Sequence, residues 1–164
     1  MEATNGGADA LKSLPRRLKG VLQEIHGEQC SHVPNPSGCK KRASVALVIR
    51  IRPSFAQLAT YDQEKCSSSI NEFQESLDNF YSQDWVRHGD PEVLFIKRAA
   101  RVGDRWTSHI ALPGGKRDPE DSEDRATSIR ETREETGLEL DIDHCLYIGN
   151  LPERIIRTAW DQTP

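Results

Sequence analysis

Paired cysteine spacing is absent from this 164-residue chain. Cys30, Cys39, Cys66 and Cys145 lie far apart, with none of the CxxC spacings of a zinc knuckle. His26, Cys30, His32 and Cys39 bring metal-ligating side chains near one another in sequence. Pro34, Pro36 and Gly38 make that stretch a loose loop, however, and reduced thiols are expected rather than zinc or disulfides. Also missing is any apolar run long enough to span a membrane. The opening residues, MEATNGGADA, have neither a basic n-region nor an apolar h-region, and Glu2 and Asp9 are too acidic for an organelle presequence. The final Gln162-Thr163-Pro164 is not a peroxisomal Ser-Lys-Leu. A surplus of positive charge is lacking as well. Lys+Arg 22 against Asp+Glu 26 leaves a net charge of −4, which argues against a nucleic-acid binder. These absences leave a soluble intracellular protein, cytoplasmic by default with mitochondrion and peroxisome left open. The length suits one domain with a sizeable core, and oligomeric state is not legible.

Along the chain three regions separate. From Ala8 to Ile25, Leu11, Leu14, Leu18, Val21, Leu22 and Ile25 recur at helical spacing, with Lys12, Arg16, Arg17 and Lys19 between them. Pro15 either interrupts this helix or marks the first turn of its better half. A basic amphipathic helix of this kind is expected to pack on its own domain rather than on an anionic membrane or a partner. Residues 28–41 read as a turn-rich linker. Ser44 to Ile49, rich in β-branched residues, reads as one strand within Arg42–Arg52, and Val93 to Arg98 as a short buried strand bounded by Asp90-Pro91. Between them lies a polar insertion, 53–91, in which Ile70, Phe73, Leu77 and Phe80 show helical spacing. One helix inside a mobile loop is expected there, and a lid, a partner surface and a dispensable loop are all compatible with it. Glu139–Ile148, with a turn near Asp141–Asp143, and Arg154–Ala159 read as further strands.

The most informative stretch runs from Leu112 to Leu138, LPGGKRDPEDSEDRATSIRETREETGL. Residues i, i+3 and i+4 of a helix share a face, so Glu131, Glu134 and Glu135 project from one side, with Thr127 a turn earlier on the same side. Ala126, Ile129 and the stem of Arg133 fall opposite. Three massed carboxylates repel one another, and a solvated ion pair does little to relieve that. Such oxygen-rich clusters suit hard divalent cations, above all Mg²⁺ or Mn²⁺. The plainer alternative is a solvated Glu/Arg face in which Arg130 and Glu134 are an ordinary i, i+4 pair. The neighbours favour the metal site. Pro113 stiffens the entry, Gly114 and Gly115 permit close approaches, Asp121 or Ser122 is the expected N-cap, and Gly137 is placed to close the helix in the left-handed conformation.

These residues resemble the Nudix box of the Nudix hydrolase superfamily. The pattern is a Gly, five residues, Glu, seven residues, then RE-hydrophobe-x-EE-x-Gly-hydrophobe. Arg130, Glu131, Glu134, Glu135, Gly137 and Leu138 match it; Thr132 replaces the usual hydrophobe. The loop from Gly115 to Arg130 is one residue longer than the pattern, and Asp121 stands where the first Glu is expected. GGKRDPED followed by IRETREETGL is similar to the branch containing coenzyme A diphosphatases. That branch also carries an upstream signature, to which Arg98 and Ala99 correspond at its opening. Arg105 sits one position from its second Arg, Ser108 occupies its Gly position, and Leu112 replaces its Phe. Arg98, Arg101 and Arg105 are either solvated loop charges or cationic donors to a diphosphate. Trp106 and His109 are open between stacking on substrate and core packing.

The resemblance implies an α/β fold, an α/β/α sandwich with a mixed β-sheet. Residues 1–41 would form an N-terminal helix and linker, and 42–164 the Nudix hydrolase domain. Such domains continue well past the point where this chain stops, through strands and a helix that cover the sheet. The chain is therefore expected to be incomplete at its C-terminal side, and a bare sheet edge would be an aggregation liability. The implied activity is metal-dependent hydrolysis of a diphosphate linkage in a small-molecule nucleoside diphosphate derivative, with coenzyme A or an acyl-coenzyme A leading. Glu131, Glu134 and Glu135, with the carbonyl of Gly115, would hold the metal; Arg130 would hold Glu134 in register; Arg98, Arg105 and Gly114 would meet substrate. The alternative is a non-catalytic Nudix-like module binding a nucleotide or a protein, or an inactive fragment.

Overall fold

The computed structural model describes residues 14–39, 41–54, 73–100, 102–103, 108–141 and 145–156. Ten elements lie among them: α1 (Leu14–Gly27), β1 (Ala43–Val45), β2 (Ile49–Arg52), α2 (Phe73–Ser82), α3 (Asp84–Arg87), β3 (Asp90–Val93), β4 (Ile96–Lys97), β5 (Ile110–Ala111), β6 (Gly114–Lys116) and α4 (Asp124–Thr136). This is the mixed α/β class expected. The strands form three two-stranded pairs, β1–β6, β2–β3 and β4–β5, rather than one continuous mixed sheet. The chain divides into two compact units, one of 1–29, 49–92 and 141–150, the other of 30–48, 93–140 and 151–164.

The first unit is built around an apolar cluster. Leu22 of α1, Ile51 of β2, Leu77 and Tyr81 of α2 and Val86 of α3 are buried together, and Leu18, Phe80, Trp85, Leu146 and Ile148 pack against them. In α1, Pro15 occupies the first described turn, where its missing N–H costs no helical hydrogen bond. Only part of the apolar stripe is covered, since Leu14 and Val21 remain exposed. The helical spacing of Phe73, Leu77 and Phe80 yields α2, while Ile70 and Leu11 lie outside the described residues. The segment read as polar thus contributes Leu77, Tyr81 and Val86 to the core, since a few well-spaced apolar side chains suffice to bury one helical face. His26 stacks on Phe73 and donates its Nδ1–H to the carbonyl of Ile148 at 2.7 Å.

Two expected strands break differently. The run Ser44–Ile49 is not one strand, because its ends have different partners. β1 pairs antiparallel with β6, Val45 opposite Gly114 and Ala43 opposite Lys116, whereas β2 pairs with β3. The link between them bonds irregularly, Ala46 N–H to Pro113 O at 2.8 Å and Leu94 N–H to Val48 O at 3.0 Å. Nor is Val93–Arg98 one buried strand. It divides between β3, which includes Asp90 and Pro91, and β4, with Val93 and Phe95 exposed. Within 139–148 and 154–159, the described residues form no strand.

The second unit relies on polar ties more than on apolar burial. Its α4 packs over β1 and β6, and its fully buried side chains are Pro113, Thr127 and Thr132. Arg42 is the hub. Its guanidinium bonds Asp124 at the start of α4 (2.8 Å), Glu153 (2.9 Å), Val33 O (3.0 Å) and Asn35 (3.1 Å). Glu153 also accepts the Val33 N–H at 2.7 Å and contacts His32. The Val33 N–H, followed by Arg42, holds the Glu153 carboxyl down at about 2, from an ordinary 4.5. A depressed carboxylate stabilises the fold fully above its unfolded value, and that contribution fades as pH falls toward the folded one. Wild type should therefore melt above Glu153→Gln near neutral pH, with the gap closing between about pH 4.5 and about pH 2. Melting curves across that range test this, and a gap independent of pH would contradict it.

Candidate active site

Gly114 and Gly115 of β6 face α4 within the second unit. Gly114 adopts φ +147°, and a side chain there would run into the backbone of Ser44 and Val45 in β1. Only glycine meets both demands. At Gly115 the obstruction is different: a Cβ would occupy the place of the Glu131 carboxylate. That carboxylate therefore lies directly against the β6 backbone. One turn further along α4, Glu135 Oε2 accepts the Gly114 N–H at 2.9 Å. Glu131 and Glu135 thus meet the same glycine pair.

The helix begins otherwise than the sequence suggests. Its N-cap is Glu123, extended and without a side-chain cap bond, not Asp121 or Ser122. Asp121 is engaged elsewhere, and its side chain is only 7% exposed. Its Oδ1 accepts from Arg130 Nε at 3.1 Å. Its Oδ2 accepts from Arg130 Nη2 (3.0 Å), the Asp118 N–H (3.0 Å) and Thr127 Oγ1 (2.9 Å). The fork from Arg130 is a bidentate, charge-assisted pair. Arg130 foremost, with the Asp118 N–H next, holds the Asp121 carboxyl well below the usual carboxylate range, against the opposing effect of desolvation. Asp121 in turn pushes the Arg130 guanidinium further up.

Arg130 was expected to serve Glu134. Its principal partner is Asp121, because a buried carboxylate with both oxygens in reach outcompetes an exposed one on the same helix. Glu134 remains within 3.3 Å of Nη1, as does Glu131, and Nη2 also bonds Lys116 O at 3.1 Å. One guanidinium therefore ties the loop, β6 and the carboxylate face together.

The acidic face of α4 is covered at Thr127 and Glu131 and exposed at Glu134 and Glu135. Thr127, placed on it by the helical period, is completely buried, and Glu131 is mostly covered. Thr132, standing where the pattern has a hydrophobe, is also completely buried and donates its hydroxyl to Ser128 O at 2.6 Å. The i−4 carbonyl satisfies the one polar atom that would make Thr a poor substitute. Gly137 ends the helix at φ +74°, its N–H on Arg133 O, as anticipated.

The expected trio is not assembled. Among the described residues no group of three or more His, Cys, Asp or Glu side chains is placed to hold a metal ion. Glu131 and Glu135 reach the glycine pair of β6, while Glu134 is exposed and directed to Arg130. Arg98 follows β4 and is half-buried, its backbone N–H continuing the β4–β5 ladder to His109 O at 2.9 Å. Arg101, Arg105 and Trp106 lie outside the described residues. The role of Asp121 as anchor for Arg130 was missed in the sequence, although its position, where the box has its first acid, was the available signal.

A hard cation does not need three protein carboxylates. Mg²⁺ is commonly held by one or two, its other positions going to water and substrate phosphate. Glu131 over a side-chain-free glycine, with Glu135 beside it, offers two carboxylates where such an ion could be held.

Residues 85–163 match the family model described as the NUDIX domain. The chain is 35% identical over 145 residues to an uncharacterized protein of Schizosaccharomyces pombe, a match covering 86% of this chain and 37% of that protein. It is 41% identical over 56 residues to the mitochondrial coenzyme A diphosphatase NUDT8 of Mus musculus, covering 34% of this chain and 27% of that protein. To the peroxisomal coenzyme A diphosphatase NUDT7 of Mus musculus it is 42% identical over 53 residues, covering 32% and 22%. The chain thus spans well under half the length of these relatives. No solved structure matches. Over residues 85–163, just under half of its length, the chain is thus similar to a NUDIX domain, in line with the Nudix superfamily.

Proposed function

We propose that this chain hydrolyses a diphosphate linkage in a nucleoside diphosphate derivative, with coenzyme A or an acyl-coenzyme A as substrate and Mg²⁺ or Mn²⁺ as cofactor. The observation that carries the reading is the meeting of Glu131 and Glu135 at Gly114–Gly115, clamped by Arg130. The similarity to two coenzyme A diphosphatases supports the choice of substrate.

Glu131 and Glu135 would hold the cation, with the Gly115 carbonyl and Glu134 as further oxygen donors. When bound, a divalent ion there neutralises diphosphate oxygens, polarises phosphorus and acidifies a coordinated water. The chain's own residues supply the positioning. The Gly114 N–H orients Glu135. The Asp121–Arg130 fork fixes the loop before α4, and Arg130 partly offsets the repulsion between Glu131 and Glu134. Arg98 and Arg105 are proposed as cationic donors to the diphosphate, with the Gly114 turn beside it. Among the described residues no helix is long and apolar enough to cross a membrane, and a small-molecule substrate needs none.

The test is a panel of coenzyme A, ADP-ribose, NADH and diadenosine polyphosphates incubated with Mn²⁺, with and without excess chelator. Cleavage of coenzyme A to adenosine 3′,5′-bisphosphate and phosphopantetheine, abolished by chelator, is the expected result. Cleavage of another compound alone would overturn the substrate assignment. Binding of coenzyme A without turnover would favour a non-catalytic module instead.

A further inference from the structure

The first unit contains a cavity that diphosphate chemistry does not use. Its volume is about 410 Å³, and it is lined by Pro15, Arg16 and Lys19 of α1, Tyr81 of α2, Arg87 of α3 and the following His88. The lining is cationic beyond its local compensation. Lys19 meets Asp78 at 2.5 Å, and Arg87 and His88 share Asp84 at 3.5 and 3.2 Å. Among the described residues, two carboxylates thus serve three permanent cations and one imidazole. Among the described residues Arg16 has no hydrogen bond or ion pair.

Tyr81 adds an independent observation. It is only 7% exposed, and among the described residues its hydroxyl has no hydrogen-bond partner. Buried phenols ordinarily find one, because an unmade bond leaves the desolvation cost uncompensated. Burial pushes its pKa up to about 12, so the hydroxyl stays a donor at any physiological pH. A buried phenol lining a cavity together with Arg16, Lys19 and Arg87, and without a partner among the described residues, calls for an acceptor of negative charge.

We propose that this cavity binds a small phosphate monoester, with Arg16, Lys19 and Arg87 as cationic donors, the Tyr81 hydroxyl as a neutral donor and Pro15 as an apolar wall. Phosphate fits better than a carboxylate because three acceptor oxygens and a double charge match several convergent donors and an unbalanced cationic lining. The site belongs to the first unit alone and does not depend on the reading of the Gly114–Glu135 site.

The test is calorimetric titration of the full chain with inorganic phosphate and with phenyl phosphate, in excess chelator so that no metal bridges phosphate to glutamates. Saturable binding is expected, weakened about tenfold or more in the Arg16→Gln, Arg87→Gln double variant. Tyr81→Phe should also bind more weakly, yet melt no lower than wild type without phosphate, because the deleted hydroxyl has no partner among the described residues to lose. Glu135→Gln should bind phosphate as wild type does. No saturable binding, binding unchanged in both cavity variants, equal affinity for acetate, or loss of binding in Glu135→Gln would each overturn the proposal.

Discussion

Glu135→Gln is expected to lower turnover by at least about 100-fold while leaving the melting temperature close to that of the parent. The two outcomes separate because the carboxylate has two separable roles. Its Oε2 accepts the Gly114 N–H, and a glutamine amide oxygen can accept the same bond. The residue is exposed, so exchanging carboxylate for amide disturbs no packing. What the amide cannot supply is negative charge toward a divalent cation and its bound diphosphate. Steady-state rates at saturating Mn²⁺, alongside thermal melts, decide the matter. Undiminished turnover in well-folded Glu135→Gln would remove the metal role assigned to it.

Adjacent glycines should respond in opposite ways to the same added methyl group. In Gly114→Ala the new Cβ meets β1 backbone at Ser44 and Val45, and φ +147° is strained for any L side chain. Neither obstacle yields without opening the β1–β6 ladder, so a loss of roughly 2–5 kcal/mol in stability is expected. In Gly115→Ala the methyl meets the end of the Glu131 side chain, which can rotate away. The ladder survives and stability changes little. The carboxylate is displaced from the glycine, however, and misplacement of a functional group by about 1 Å costs roughly 100-fold in rate. Circular dichroism melts and turnover per folded molecule distinguish the two variants. Were Gly115→Ala to unfold like Gly114→Ala while keeping full specific activity, the assignment of Gly115 as the seat of Glu131 would fail.

The residues that spoke most clearly in the sequence were those whose partners lie within a turn or two. Gly137 as the helix stop, Pro15 in a first turn and the shared face of Thr127, Glu131 and Glu135 follow from a period of 3.6 and from cap chemistry, which depend on few neighbours. Asp121 shows where such reasoning misleads. Just before a helix an aspartate has a ready local role as a cap, yet its oxygens go to Arg130, nine residues on. Local rules rank the donors nearby and say nothing of a guanidinium that the loop returns to it.

Strands fared worse for a related reason. Ser44–Ile49 has the composition of a strand throughout, and composition cannot reveal that Val45 is paired to Gly114 while Ile49 belongs to a strand paired with β3. Val93 and Phe95 have the apolar character of buried residues, but burial requires something to lie over them. The run from Glu139 to Ile148 has the alternation of a strand. Among its described residues Leu146 and Ile148 bury against the first unit's cluster without entering a ladder.

By itself the sequence determined the chemistry available: three glutamates and an arginine on one helix, two glycines before it, and oxygen donors suited to a hard cation. Spacing along a helix is a covalent property, and no distant residue can alter it. Only the tertiary structure decided which of those groups come together, seating Glu131 and Glu135 at the glycines and giving Arg130 to Asp121. Pairings between charges depend on distance and desolvation in the folded chain, and both are set by contacts that sequence order does not contain.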